Sequence, residues 1–356
     1  MDKLITLFQQ QQPHLVKDMH QSTHHFDDYR LNPYHLEGDV WGHTLMVCLM
    51  AKELGVSKIE QYSCLLHDVG KPLSREVVEE TRKVRFFGHE GLSVYKALPF
   101  MLDQNLTVDE IRIITEIISM HTDLYKIIKR PDAIEKVAKR FVGNKELLKS
   151  LINVAICDAH GRFYDEEQAN SFPRDKDFWS PYLSSIKEHK VSYKPRTATV
   201  LVGPPLSGKS TWIKNNTDNS SVVISRDQVI LDLCPGLDYT KAYKKLHDSP
   251  NGPSLISEEF EKRKREAVKS GKDIVFDLTH MSKKARRRSL SSLTKDFKTK
   301  AVVFLTPFEE LINRNHTRTQ EEGKNIPFEV LVGMMKAYTC PLYDEVDEIE
   351  YKVFKP

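Results

Sequence analysis

The run TVLVGPPLSGKST over residues 199–211 constrains this chain more than any other segment. Its first residues predict a β-strand, its glycines a tight loop, and residues 211–215 the helix that follows. In such a loop, backbone N–H groups and the helix N-terminus cradle a polyanion. Gly203, Ser207, Gly208 and Thr211 then belong to the phosphate cradle, Lys209 reaches the β- and γ-phosphates of a nucleoside triphosphate, and the Ser210 hydroxyl binds magnesium. Further β-branched runs at 221–224, 274–276 and 301–305 alternate with helical stretches of ten residues or more. Parallel βαβ units read this way, so the second half is expected to be a three-layer α/β domain.

The first half has a different rhythm. Apolar residues recur at three- and four-residue intervals over 43–54, 59–67, 91–102, 108–121 and 146–157, which predicts an all-α block. A polar stretch, SSIKEHKVSYKPR, separates the two patterns. The expected organisation is a helical domain over residues 1–190, a linker over 191–196 and an α/β domain over 197–356. A length of 356 residues accommodates two cores. No stretch reaches the ~18 apolar residues of a membrane span and the first residues do not read as a signal peptide, so a soluble cytoplasmic protein with no membrane partner is expected. The five cysteines are widely spaced and are expected as reduced core thiols.

Three more features of the second half carry chemistry. The segment ISRDQ places Arg226 and Asp227 at the carboxyl end of a strand, where α/β sheets open onto their ligands. A carboxylate there can position and deprotonate a hydroxyl, although an aspartate can also cap the next helix. The strand IVFD delivers Asp277 to a position suited to holding a magnesium-bound water, with Thr279 and His280 after it. Arg314 and Arg318 lie four residues apart, on one helix face, as a pair able to close over a triphosphate. Net charge is only +3, but Lys283, Lys284, Arg286, Arg287 and Arg288 form a basic cluster that is either a solvated helix face or a phosphate-contacting surface.

In order and spacing, GPPLSGKSTW, ISRDQ, VFDLTH, ELINRNHTR and IPFEVLVGMMKAY resemble the kinase domain of the phage-type 5′-hydroxyl polynucleotide kinases. The resemblance implies ATP and Mg2+ as cofactors, Lys209 and Ser210 as phosphate and magnesium ligands, Asp227 as general base, and Arg318, with Arg314, as lid arginines. Two departures stand out. The family has a phosphate-gripping arginine three residues after the catalytic aspartate, where this chain has Ile230, and its phosphatase domain of DxDxT type has no counterpart after the kinase motifs.

The first half carries His43, His67 and Asp68 in LLHDVGKP, His89 in FFGHE, His121 in ISMHTD and Asp158 in ICDAHGR. Four histidines and two aspartates, each near the end of an apolar run, predict a metal site. Imidazole and carboxylate without thiolate suit Mn2+, Fe2+, Co2+, Ni2+ or Zn2+, and two ions sharing one carboxylate would clamp a phosphoester. The pattern resembles the HD phosphohydrolase superfamily. That resemblance implies His43, His67, Asp68 and Asp158 around one ion, His89 and His121 around a second bridged by Asp68, and Lys71 on substrate phosphate. His14, His24, His25, His35, His160 and His189 are expected to be structural or exposed.

An HD domain followed by a phage-type kinase domain resembles the HD–polynucleotide kinase family of bifunctional end-healing enzymes. The resemblance implies removal of a 2′-, 3′- or 2′,3′-cyclic phosphate by the first domain and 5′ phosphorylation by the second, on RNA or DNA ends, with a ligase acting downstream and a homodimer as one possible state. Two other readings stay open: an HD nucleotidase joined to a nucleoside kinase, and a nucleotide-binding sensor without turnover. Because each half carries its own full set of residues, the two sites are expected to work independently, and a fragment starting near Ser192 to keep kinase activity.

Overall fold

The computed structural model describes residues 1–32, 35–163, 172–322 and 325–354. Helices α1 (Asp2–Gln11), α2 (Pro13–Gln21), α3 (Val40–Glu53), α4 (Lys58–Leu66), α5 (Lys71–Ser74), α6 (His89–Asp103), α7 (Val108–Met120), α8 (Asp123–Ile127), α9 (Ala133–Arg140), α10 (Lys145–His160) and α11 (Lys176–Ser184) build the first half. Their starts are written in side chains. Ser57 and Glu60 form a capping box at α4, and Thr107 and Glu110 form one at α7, each satisfying two otherwise orphaned backbone N–H groups. Asp39 accepts from the Gly42 N–H, so α3 begins at Val40, ahead of the apolar repeat that reveals it in the sequence. The first half is helical but not wholly so. Strands β1 (Glu76–Val78) and β2 (Lys83–Arg85) form a short antiparallel hairpin, too brief for its alternation to register as a pattern.

The second half runs β3 (Arg196–Val202), α12 (Lys209–Asn216), β4 (Ser221–Ser225), α13 (Arg226–Leu233), α14 (Tyr239–Asp248), α15 (Gly252–Lys269), β5 (Asp273–Asp277), α16 (Lys283–Leu290), β6 (Phe297–Leu305), α17 (Phe308–Glu322), α18 (Phe328–Lys336) and β7 (Glu348–Val353). These five strands are all parallel, in the order β4-β5-β3-β6-β7. Edge strand β7 is absent from the sequence reading because EIEYKV carries charges, which Lys300 of β6 offsets through Glu348 and Glu350. Arg196 is the first residue of β3 rather than the last of a linker, and its guanidinium pairs with Asp296. All five cysteines are buried free thiols. Among the described residues no helix is long and apolar enough to cross a membrane.

The two halves are not separate bodies on a string. Most of their buried apolar residues form one continuous cluster that runs from Phe8 to Tyr351, with Leu201, Val275, Val302 and Phe304 in a smaller one, and α6 packs on α17 and α18. Tyr95 of α6 meets Tyr338 edge-on at 5.6 Å, Lys96 pairs with Glu309 at 2.5 Å, and the Tyr351 hydroxyl donates to Glu116 of α7 at 3.0 Å. The connecting chain is pinned as well: His189 stacks on Tyr343 and Lys194 pairs with Asp347. A fragment starting near Ser192 would uncover Leu331, Met335, Tyr338 and Tyr351, so the expectation that it stands alone conflicts with the packing. The basic cluster also divides. Arg286 is fully buried, bonded to Glu345 and to the Thr339 and Cys340 carbonyls, while Lys283 pairs with Asp344.

Gly91 sits at the closest approach of α6 to the second half. A Cβ there would lie 2.2 Å from the Met335 carbonyl oxygen, which is backbone and cannot move aside cheaply. Gly91→Val should therefore lower stability by about 1–3 kcal/mol, as overpacking does. A chemical-denaturation midpoint equal to that of the parent chain would show that this contact is not tight.

Candidate metal centre and candidate phosphate crevice

The turn after α4 is what assembles the first site. His67 and Asp68 follow α4 directly, and Gly70 lets the turn lie on α6, where a Cβ would come within 2.4 Å of the Ser93 nitrogen and 2.6 Å of the His89 carbonyl oxygen. Asp68 thereby stands between helices. Its Oδ2 faces His67 Nε2 at 3.1 Å and His43 Nε2 at 3.6 Å, and its Oδ1 faces His89 Nε2 at 3.3 Å and His121 Nε2 at 3.8 Å. Asp158, near the end of α10, lies 3.0 Å from His43 and 3.8 Å from His67. Among the described residues, two groups of donors able to hold a cation share Asp68, His43–His67–Asp68 and Asp68–His89–His121, and a third that does not include it, His24–His35–Glu37, is also present.

The imidazoles are aimed by their other nitrogens. Nδ1 of His67, His89 and His121 lies 2.7–2.8 Å from the carbonyl oxygen three residues earlier, at Cys64, Phe86 and Ile118 respectively. Each Nδ1–H donates there, which leaves the Nε2 lone pair turned into the cluster. His43 differs: its Nδ1 lies 3.0 Å from Glu37 Oε1 without a hydrogen bond of good geometry, and its Nε2 meets Asp158 Oδ1 at 3.0 Å. His67 Nε2 and both Asp68 oxygens are buried without a hydrogen bond of good geometry, a costly arrangement that a bound cation would relieve. Burial pushes Asp68 and Asp158 upward, but the first is held well below the carboxylate range by His67 and Lys71, and the second by Arg162 and His43. Burial, with His89 and His67 alongside, pushes His121 down to about 4, so its ring is neutral and able to bind a metal. The donors present fit divalent ions.

Lys71 Nζ lies 2.7 Å from Asp68 Oδ2, on the wall of an open cavity of about 690 Å³ that reaches the donor cluster. Four contributors escaped the sequence reading. Arg162 donates to Asp158 Oδ1 at 2.8 Å, Tyr125 donates to Asp158 Oδ2 at 2.9 Å, the Glu37 carboxylate lies 3.0 Å from His43 Nδ1, and Glu90 accepts from Thr122 at the cavity wall. Only Arg162 had a signal, its four-residue offset from Asp158. His24 and His35, expected as structural or exposed, lie next to the donor cluster. They stack on each other at 4.2 Å beside His43, with Lys71 3.3 Å from His24 and Glu37 2.8 Å from His35.

The second site is a crevice of about 570 Å³ at the carboxyl ends of β3, β4 and β5. Gly208, Lys209, Ser210 and Thr211 line it together with Asp227, Asp277, Arg314 and Arg318, so the sequence-predicted residues converge. Gly203 and Ser207 lie behind this lining, where a Cβ on Gly203 would meet Ser207 Oγ at 2.7 Å. Lys209 donates to the Gly203 and Pro204 carbonyls, and burial pushes its ammonium down to about 8. Asp227 starts α13 without acting as its cap; instead it accepts from the Tyr239 hydroxyl at 3.0 Å, a partner the sequence did not announce. Burial raises Asp277. Arg314 is fixed by Glu310 at 2.6 Å and by the Leu206 carbonyl at 2.9 Å, which ties α17 to the phosphate loop. His280 is structural, bonded to the Leu201 carbonyl and Ser289.

Residues 40–160 match the family model of the HD domain, and residues 199–341 match that of an AAA domain, a P-loop fold. The chain is an HD domain joined to a P-loop domain. That is the architecture its motifs imply, and both elements of the expected resemblance to HD–polynucleotide kinases are present. Among solved structures, the chain is similar to one in the Pnkp1/Rnl/Hen1 RNA repair complex, with 24% identity over 41% of this chain and 46% of that one and a TM-score of 0.34. A second structure of the Pnkp1/Rnl/Hen1 complex gives 24% identity, 40% and 46% coverage and a TM-score of 0.29. A candidate kinase from Chloroflexus aurantiacus j-10-fl gives 12% identity, 46% and 87% coverage and a TM-score of 0.33. The chain spans less than half the length of the RNA repair chains it matches.

The shared carboxylate predicts the metal stoichiometry. Full-length protein stripped of metal and dialysed against Mn2+ should retain two ions per chain by elemental analysis, and Asp68→Ala should lose both. Glu37→Gln, which removes the carboxylate charge beside His43, should weaken one of them by about 10–100-fold. Unchanged binding by Asp68→Ala would refute the bridging arrangement.

Proposed function

We propose that this chain is a bifunctional nucleic-acid end-healing enzyme. On this reading the HD domain, residues 1–190, removes a 2′-, 3′- or 2′,3′-cyclic phosphate from RNA or DNA ends. After the connecting chain, the P-loop domain, which opens at Arg196, transfers the γ-phosphate of ATP to a 5′-OH end. The observation that carries the reading is the pairing, in one chain, of a carboxylate turned to two donor groups with a phosphate crevice whose lining includes an acid, Asp227, held through one oxygen by Tyr239. A ligase joins a 3′-OH to a 5′-phosphate, so the two reactions prepare the two sides of one break, and a ligase is the natural downstream partner.

In the P-loop domain, Asp227 takes the proton of the acceptor hydroxyl through Oδ2 while Tyr239 holds Oδ1. The hydroxyl oxygen then attacks the γ-phosphorus in line, the bond to the β-phosphate oxygen breaks, and ADP leaves. Lys209, Arg314 and Arg318 offset the charge that develops on the transferred group. Mg2+ would be held by Ser210 and, through water, by Asp277, and would supply further neutralisation of the phosphate charge. In the HD domain, divalent transition-metal ions on His43, His67, Asp68, His89, His121 and Asp158 would supply Lewis-acid activation. The chain's own part there is orientation: Lys71 and Arg162 stand at the cavity wall, where they meet an entering phosphate.

The deciding assay uses an RNA strand with a 5′-OH and a 2′,3′-cyclic phosphate, incubated with ATP and various divalent metals, with both ends read out. Asp227→Asn should lower the rate of 5′ phosphorylation by about 10²–10⁴-fold while ATP binding and end-phosphate removal persist. Asp68→Ala should do the reverse. Phosphorylation of free nucleosides in preference to the strand would replace this reading with one in nucleotide metabolism.

A pH dependence follows from Lys209. Free Lys209 loses its proton above about 8, whereas a bound triphosphate favours the charged ammonium. Affinity for Mg·ATP should therefore be level below that pH and fall above it, by up to about tenfold per pH unit, with a proton taken up on binding. Calorimetry in buffers of different ionisation enthalpy measures this uptake, and affinity that stays level at higher pH would contradict it.

A further inference from the structure

The acceptor side of the P-loop crevice lacks the residue its motif would supply. Three positions after Asp227 stands Ile230, buried in the core and without a charge to offer a phosphate. A second cavity, about 320 Å³, adjoins the crevice on that side and shares Arg226, Leu278 and Thr279 with it. Its wall carries Lys284 and Arg288 from α16, four residues apart and so on one helix face.

The cluster on α16 is thus divided by function. Lys283 and Arg286 are consumed by Asp344 and Glu345, and Arg287 lines neither cavity. Among the described residues, Arg226, Lys284 and Arg288 form no ion pair. The one acid on the same wall, Glu261, has Lys264 at 4.0 Å. Three unneutralised cations around one concavity repel each other, a cost that an anion in the cavity converts into attraction. The triphosphate already has its cradle in the phosphate loop, so the anion suited to the neighbouring cavity is one covalently attached to the acceptor. Phe260 and Leu278 give that cavity an apolar wall for a sugar or base.

We propose that this cavity is the acceptor-strand site, in which Arg226, Lys284 and Arg288 hold the phosphodiester that follows the 5′-OH nucleotide and so present the hydroxyl to Asp227. The proposal rests on the reading of the P-loop domain as a kinase of strand ends. It puts the phosphate grip on a helix distant in sequence, in place of the position filled by Ile230.

The test uses the full chain and the double variant Lys284→Ala/Arg288→Ala, whose side chains are exposed and bear none of the fold's ion pairs. Two measurements are made on a single-stranded 5′-OH 12-mer: steady-state phosphorylation, and fluorescence anisotropy binding with Mg·ADP present. The variant should raise both KM and Kd for the strand about tenfold or more, and make the slope of log affinity against log salt shallower by about one. KM for ATP should not change, and Lys284→Arg/Arg288→Lys should restore strand binding. Unchanged KM, Kd and salt slope in the alanine variant would overturn the strand site. If the parent chain binds the strand through these residues but does not phosphorylate it, the kinase reading falls and the strand site stands. If it neither binds nor phosphorylates, both fall.

Discussion

Helix α6 has no face to spare. Its first residue, His89, is a candidate metal ligand; Gly70 of the α4 turn closes on its second turn; Gly91 and Tyr95 meet Met335 and Tyr338 of the P-loop half; and Lys96 holds Glu309 at the start of α17. The same helix therefore fixes the donor cluster on one side and supports, on the other, the helix that carries Arg314 and Arg318. A helix packed on all sides cannot shift without disturbing one neighbour or another. The two halves, chemically self-sufficient in their motifs, are mechanically one unit through this element.

Burial of charge is the second constraint. Asp68, Asp158, His43, His67 and His121 are withdrawn from water inside a helical bundle, where unpaired charge is costly. The arrangement lowers that cost by giving His67 and His121 a backbone acceptor on the far nitrogen, by setting the Glu37 carboxylate beside His43, and by placing Lys71 and Arg162 beside the acids. What is left, two Asp68 oxygens and a ring of Nε2 lone pairs facing inward, is a site organised for cations. The P-loop crevice is organised oppositely: backbone N–H groups and the cations Lys209, Arg314 and Arg318 dominate it, and its acids stand at one end. One chain thus holds a cation-binding and an anion-binding concavity, each suited to a different step on a phosphate ester.

The sequence alone determined the elements and the chemistry of both sites. Periodicity gave the helices around His67 and His121 to within a residue or two, the strand that runs up to Ser225 just before Asp227 and the strand that ends at Asp277, because a half-buried helix or buried strand must show its buried face in its residue spacing. The P-loop and HD residues were legible because such chemistry needs particular residue types at fixed local offsets. Tertiary structure alone decided the rest. The pairing of Glu37 with His43, of Tyr239 with Asp227 and of Arg162 with Asp158 depends on where loops return, and no spacing encodes that. The roles of His24 and His35 changed from background to neighbours of the donor cluster for the same reason. The division of the α16 cations into buried struts and cavity wall, and the fusion of two motif-complete halves into one core, follow from contacts between residues as far as 235 positions apart, which local patterns do not specify.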